Sequence, residues 1–549
     1  MKKTLAILIK ALISAAVIFA GYWIMLPPLN LRSTELYGFM IFVIIAVTVV
    51  FGFGSVFKSL KEVNDANDRN SIKAAVDKFK RLKTPFKISV CAILLVIVVM
   101  LVGTVIGAQI FNASSYNTLM TMQNGDFVTE VSEIGKEQIP VVDKDTASRL
   151  GQRKLGEMAD LVSQFEIDAH YTQINFKGRP VRVTPLRYGD AIKWLGNRAE
   201  GIPAYIMVDM TTQDTTLVRL NEGIKYSESE YFMRDLMRKL RFAYPTKIFD
   251  DITFEIDDNG TPFWVASTVE YRIGLFSGTD IGGAVLLNAQ TGESVYYDIK
   301  DIPTWVDQVY SADLVLTQLA YNGKYRSGWL NSVFGQKGVL QPTDGYNYLA
   351  INDDVWLYTG ITSVTSDESN VGFVLTNLRT KETRYYPVPG AEEFSAMSSA
   401  EGQVQHLSYT ATFPLLLNVA DRPSYFMALK DSAGLVKMYA FVDVQQYQIV
   451  GTGSTVEESR IDYLNKLKKE DVDTSVSEKQ SISGTVEKIS SAVVDGNTCY
   501  YIMLKDNDTV FTVPVTLSDK LPFVGAGDTV TLTYSSDSMG VTVSAVEIN

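Results

Sequence analysis

Two cysteines and two histidines are all that this 549-residue chain contains, and their scarcity excludes much catalytic and metal chemistry. A Ser-His-Asp, Cys-His or multi-histidine zinc centre would have to be built on His170 or His406. The alternation around each predicts a strand, Phe165–Phe176 for His170 and Gln403–Tyr409 for His406, where an ordinary strand histidine is the simpler reading. Cys91 falls in an apolar run and Cys499 lies about 400 residues away in a β-rich tail, so a disulfide between them is geometrically implausible. Nothing in the sequence around Cys499 would activate a thiolate. A body without disulfides must be held by its core, which suits a bacterial envelope better than a small secreted eukaryotic domain. Basic residues are also scarce beyond the start. Residues 1–87 hold 13 Lys and Arg against 5 Asp and Glu, about +8, and the whole chain carries −12, so the remainder carries about −20. So acidic a body argues against nucleic acid as a partner.

Long apolar runs are present, and all three are N-terminal. Residues 88–110 carry no charge and are long enough to cross a bilayer as a helix. The first run, Leu5–Leu26, follows Lys2 and Lys3. Its length, and the second run close behind it, favour a retained helix over a cleaved signal peptide, with Lys10 snorkelling. The second run is Tyr37–Phe57. Residues 27–36 hold one Arg and one Glu while residues 58–87 hold nine Lys and Arg, which keeps the 58–87 loop cytoplasmic. The N-terminus is then cytoplasmic and the third helix delivers the body outside, a multi-pass cell-membrane protein. Ile72, Val76, Phe79 and Leu82 recur at helical spacing among Lys73, Lys78, Lys80, Arg81 and Lys83. Those cations either contact the lipids of the anionic inner leaflet or only set topology. Gly103 and Gly107 form a small-xxx-small pair suited to helix packing in the membrane.

Beyond the third run the sequence predicts an α+β body, with antiparallel hairpins alternating with helices. Strand, polar turn and strand recur at 202–220, 284–297, 371–388 and 423–442. Helices are expected at Asp143–Met158, Gly189–Leu195, Glu228–Phe242, Thr304–Tyr321, Ala391–Gln403 and Thr455–Lys469. The expected organisation is a transmembrane domain over 1–112, a first α+β lobe over 113–325 and a second over 326–470. A polar linker, 471–480, leads to an all-β unit, 481–549, whose five strands resemble an OB-type barrel. Its Tyr500, Tyr501 and Phe511 come with few cations, so protein docking, a purely structural role or glycan binding fits it better than nucleic acid.

One unit resembles a known family. Gly260, Pro262, Phe263 and Trp264, followed by Asn288, Thr291, Gly292 and Glu293, look like the turn signatures of a PepSY-type module over about 228–300. The family usually has Asp where this chain has Asn288. The resemblance implies a non-catalytic, extracytoplasmic interaction or regulatory module, and the whole body resembles membrane proteins of Gram-positive bacteria.

The remaining motifs favour structural readings. Asp257-Asp258-Asn259-Gly260 lacks the spaced ligands and distal Glu of a calcium loop and reads as a hairpin turn, as do Asn352-Asp353-Asp354 and Asp506-Asn507-Asp508. Asp143 and Asp145 read as a helix cap rather than a cation site. Gly451-Thr452-Gly453 before a helix could cradle phosphate, but Ser454 and Glu457 form a capping box there. No catalytic residue, metal ligand or cofactor site follows from the sequence. The expected function is a membrane-anchored, non-catalytic interaction, scaffold or regulatory module, with an envelope protein or a cell-wall component as partner. A carboxylate-dependent hydrolase and an accessory subunit of a transport or secretion complex are the alternatives.

Overall fold

The computed structural model describes residues 2–64, 84–133, 139–364, 366–470, 480–494, 497–537 and 540–548. It begins with α1 (Lys2–Met25), α2 (Thr34–Asn64) and α3 (Thr84–Ile106), each holding a stretch long and apolar enough to cross a membrane. Pro27 and Pro28 end the first, because proline rings block continuation of a helix. Close packing is local: a Cβ on Gly21 would sit 2.2 Å from the Phe42 ring. Lys10 Nζ donates to the Phe51 carbonyl (3.1 Å) instead of leaving for the interface, and the Thr48 and Ser89 hydroxyls meet at 2.6 Å. Polar groups in an apolar medium find one another in this way. Lys73, Lys78, Lys80, Arg81 and Lys83 lie outside the described residues.

Gly103 and Gly107 carry a contact with the body. The turn between two body strands comes down onto them, so that a Cβ on Gly103 would lie 2.5 Å from the Phe276 ring and one on Gly107 2.3 Å from Ser277 Oγ. Gly274 meets the Gly107 backbone and has φ +59°, which glycine adopts without strain. Gly107→Val should therefore lower the thermal unfolding temperature of the detergent-solubilised chain. The expected cost is about 1–3 kcal/mol, the usual penalty of overpacking. An unchanged melting curve would show that the turn does not rest there.

After α3 the chain makes α4 (Gln109–Asn117), α5 (Lys144–Gly156), α6 (Leu236–Ala243) and α7 (Ala312–Lys324) around four sheets, antiparallel apart from one short parallel pairing. The first sheet joins Phe165–Ile167, Thr172–Phe176, Arg179–Tyr188, Ile202–Asp209 and Thr215–Ile224. Phe249–Ile256, Pro262–Ile273, Ser277–Asn288 and Ser294–Asp298 make the second, in sequence order. Strands between Leu340 and Ala391 make the third, with Gln123–Asn124 added parallel to Thr383–Tyr386. Strands between Thr410 and Gly453 make the fourth.

Alternation along the central strands puts their side chains into two cores. Trp264, Val285 and Leu287 join a cluster that runs from Phe127 to Leu467, while Val265, Ala284 and Leu286 join one that runs from Met120 to Leu378. Both cores cross residue 326, so the expected two lobes do not bury separate interiors. Lys381 Nζ bonds Asp280 (2.6 Å), linking the third sheet to the second.

Two helices are shorter than the pattern predicts. Glu228–Phe242 shrinks to α6, capped by Asp235, because the chain ahead of it bridges Ser227 to Asp235 and turns through Phe232 at φ +57°. Thr304–Tyr321 shrinks to α7, capped by Ser311, because Asp307 and Gln308 give their N–H groups to the Glu255 carboxylate (2.8 and 3.0 Å) instead of to a helix.

The tail strands Gln480–Val494, Asn497–Leu504, Val510–Pro514, Gly540–Ile548 and Thr529–Asp537 pair one with the next, and the last pairs back onto the first. Their apolar side chains form a separate cluster around Phe511 and Leu532.

Candidate functional site

All four sheets contribute to one cavity of about 380 Å3. Its wall takes the approach to α5 (Pro140–Lys144), His170–Gln173 and Arg182 of the first sheet, Asp251–Thr253 of the second, Tyr346–Tyr348 of the third, and Leu415 with Phe426–Ala428 of the fourth. That volume is within the range of small-molecule sites.

Arg182 is the unusual group. It stands mid-strand opposite Gln173 and Val208 and is 7% exposed. Its Nη2 donates to Gln173 Oε1 (3.1 Å), and its Nε is buried with no hydrogen-bond partner. Among the described residues no carboxylate forms an ion pair with it. Burial pushes the guanidinium's pKa down, while Tyr348, Asp143 and Tyr346 pull it back up. An arginine stays charged in any case, and a buried charge without a counter-charge is costly.

The nearest carboxylate is already committed. Asp143 caps α5 through Thr146 N (2.9 Å) and bonds Lys430 Nζ. Burial acts to raise its carboxyl, but the hydrogen bonds from Lys430 and Thr146 outweigh that and hold it below the usual range. The frame is fixed by amides. Gln308 Nε2 donates to the Gln173 carbonyl (2.7 Å), and Asn347 Nδ2 to the Phe413 carbonyl (3.1 Å). Burial raises the Tyr171 and Tyr348 hydroxyls well above the phenol range, so both remain neutral donors.

At the rim, His170 meets a second arrangement. It lies between strands rather than within one, which corrects the sequence reading, and its Nδ1 is 2.8 Å from Asp168 Oδ1. One atom each from Asp168, His170 and Glu228 fall within 4.8 Å of one another, a set able to hold a metal ion. Asp168 Oδ1 also accepts the His170 backbone N–H (2.9 Å), an ordinary local turn bond. Glu228 is raised by burial despite His170 beside it.

Behind the wall lie two fully buried carboxyls, Glu255 and Asp307. Glu255 accepts the two N–H groups described above and the Thr253 hydroxyl (3.2 Å). Asp307 Oδ2 accepts Asn175 N (2.6 Å), and its Oδ1 has no partner. Burial lifts Glu255 to about 7, and burial together with Glu255 lifts Asp307.

The other sequence candidates serve structure. Gly451 and Gly453 are not open to phosphate: a Cβ on either would meet the backbone of Tyr463 or Ser459 at 2.2 and 2.4 Å. The cap there is Thr455 with Glu458, one residue beyond the expected pair. His406 sits in a single helical turn, Gln405–Leu407, not a strand. Cys499 is buried in the tail. Asp257 Oδ1 closes its turn on Asn259 N and Thr261 N (2.9 and 2.8 Å). The sequence signal for Arg182 is a charge set between Val181 and Val183, diluted by Arg179 and Arg187 in the same strand.

The body is also fastened to the membrane helices. Arg241 of α6, 3% exposed, donates from Nε to the Leu26 carbonyl (2.9 Å) and from Nη1 to the Lys247 carbonyl. Arg32 Nη1 bonds the Tyr271 carbonyl (2.8 Å), and Leu29 N the Pro245 carbonyl (2.6 Å). Arg238 lies over the Trp23 ring (4.6 Å), and Phe276 meets Tyr37 edge-on (5.4 Å).

No family model and no curated protein matches this chain. Among solved structures, an exo-β-1,3-galactanase from Phanerochaete chrysosporium is similar at 9% identity and TM-score 0.18, over 68% of this chain and 64% of its own length. The C-terminal domain of YpeB from Bacillus megaterium is similar at 12% identity and TM-score 0.10, over 44% of this chain and 99% of its own. Likenesses at these TM-scores carry no argument about fold or activity.

Proposed function

We propose that this chain is a membrane-anchored, extracytoplasmic, non-catalytic binding and regulatory module of a bacterial cell envelope. The observation that carries the reading is the seat of the body on the three apolar helices, above all the buried Arg241 holding the Leu26 carbonyl. A domain that only needed tethering would hang on a flexible linker. Here the loop after α1, the start of α2 and the end of α3 each touch the body, so a change in the body is felt by the helices. The positive-inside rule, applied to the nine cations of residues 58–87, assigns that loop to the cytoplasm and the body to the outside.

Two finer readings accompany this one. The strand and turn arrangement at 228–300 supports a PepSY-like unit: Asn288 Oδ1 accepts Gln290 N and Thr291 N (2.9 and 3.0 Å) and so closes the turn. The tail pairs its strands first to second to third to fifth to fourth and back, with the third and fifth parallel, which supports an OB-type barrel. An envelope protein or a cell-wall component is the proposed partner, with membrane lipids around the helices.

Topology is the first test. A membrane-impermeant thiol reagent should label a cysteine placed after Asn549 in intact cells and leave one placed in the 58–87 loop unlabelled. The reverse pattern would overturn the reading. In-cell crosslinking through the body should then recover an envelope protein or cell-wall fragment.

A further inference from the structure

We infer that the cavity around Arg182 binds a monoanionic carboxylate ligand with an apolar body. This deepens the reading of the ectodomain as a binding module by giving the chemical class of its ligand. Four ionisable groups with a fixed charge line the cavity: Arg182, Lys144, Asp143 and Asp251, with His170 at the edge. Asp143 is matched by Lys430, and Lys144 and Asp251 are of opposite sign. One charge is left over, and it is the most buried of all. The guanidinium lines the cavity, held on one side by Gln173, and offers the planar donor geometry that a carboxylate fits.

A monoanion balances this site, whereas a phosphate dianion would leave a buried negative charge beside Asp143. The Tyr348 hydroxyl, kept neutral by burial and hydrogen-bonded to Tyr346, lies in the same wall and can turn its proton to the ligand. The lining also includes Met210, Leu415, Phe426 and Met427, apolar side chains that would desolvate the rest of the ligand. The chemistry is met by a free aliphatic or aryl acid and by the C-terminal carboxylate of a peptide. Both present one carboxylate ahead of an apolar group.

The test uses the full chain in detergent and follows thermal unfolding with 4-phenylbutyrate, N-acetylphenylalanine and the primary amide of each. A saturable rise in melting temperature with either acid, and none with its amide, is expected. Response to 4-phenylbutyrate alone points to free acids; response to N-acetylphenylalanine points to peptide termini. In Arg182→Gln the affinity should fall at least about tenfold. Without ligand that variant should melt no lower than wild type, because it removes an unpaired buried charge. Tyr348→Phe, which keeps the ring, should weaken binding by a smaller factor. Absence of saturation with both acids overturns the inference, as do equal responses to acid and amide or an Arg182→Gln variant that binds unchanged. None of these outcomes bears on the thiol labelling, and a body found in the cytoplasm would sink the envelope reading while leaving the pocket chemistry intact.

Discussion

Urea unfolding of the full chain should become easier as pH rises from about 5 to about 8, and Asp307→Asn should remove the part of that slope that Asp307 contributes, leaving the part due to Glu255. Glu255 and Asp307 are both buried with folded pKa values above those of free carboxyls, Glu255 at about 7. Folding therefore takes up protons. The resulting stabilisation is complete below the unfolded value near 4.5 and is lost as pH climbs through about 7. A rise of two to three units on one fully buried group corresponds to about 3 kcal/mol. Asparagine at 307 keeps an oxygen for Asn175 N and puts its NH2 where Oδ1 now has no partner. The variant should match wild type at about pH 5 and exceed it at about pH 8. Parallel pH dependences in the two proteins would sink the argument.

Arg241→Ala should be the most damaging single change at the membrane seat. It strips the Leu26 and Lys247 carbonyls of their donor and removes a cation lying 5.2 Å from the centre of the Phe249 ring. Hydrogen bonds from a charged group are worth about 1.5–3 kcal/mol each, and an unpaired buried carbonyl costs more than an exposed one. A loss of about 3 kcal/mol is expected in detergent. Deuterium uptake over residues 26–33 should rise well before global unfolding, and Arg241→Lys should restore little, since a lysine cannot span two carbonyls as a fork does. Unchanged exchange over that loop would mean that the body does not depend on this bond.

Much of the scaffold was legible because local chemistry set it. Three long apolar runs mark the three helices, and Lys177-Gly178 and Asp257–Gly260 mark hairpin turns where the chain needs φ above zero. What misled was long-range demand on the backbone. The residues from Thr304 to Gln308 look helical in sequence, yet the N–H groups of Asp307 and Gln308 are claimed by Glu255, about 50 residues earlier. Gly103 and Gly107 have the spacing of a helix-packing motif, and that spacing gives no hint that Phe276 and Ser277, about 170 residues later, come within reach of them. The pocket was invisible for a related reason. It gathers Asp143, Arg182, Tyr348 and Met427, which no spacing rule connects, and the placing of Arg182 between two valines is masked by Arg179 and Arg187 in the same strand.

The two-residue strand Gln123–Asn124 has a consequence for the order of assembly. It emerges just after the last membrane helix, yet its partner, Thr383–Tyr386, is made about 260 residues later. Closing a loop of that size costs on the order of 5 kcal/mol in chain entropy. The third sheet thus gains this edge only after most of the body has been synthesised. A nascent chain released before residue 383 would hold an anchor already in place, an incomplete sheet above it and an open strand edge, the form most exposed to proteases and to pairing with a second chain.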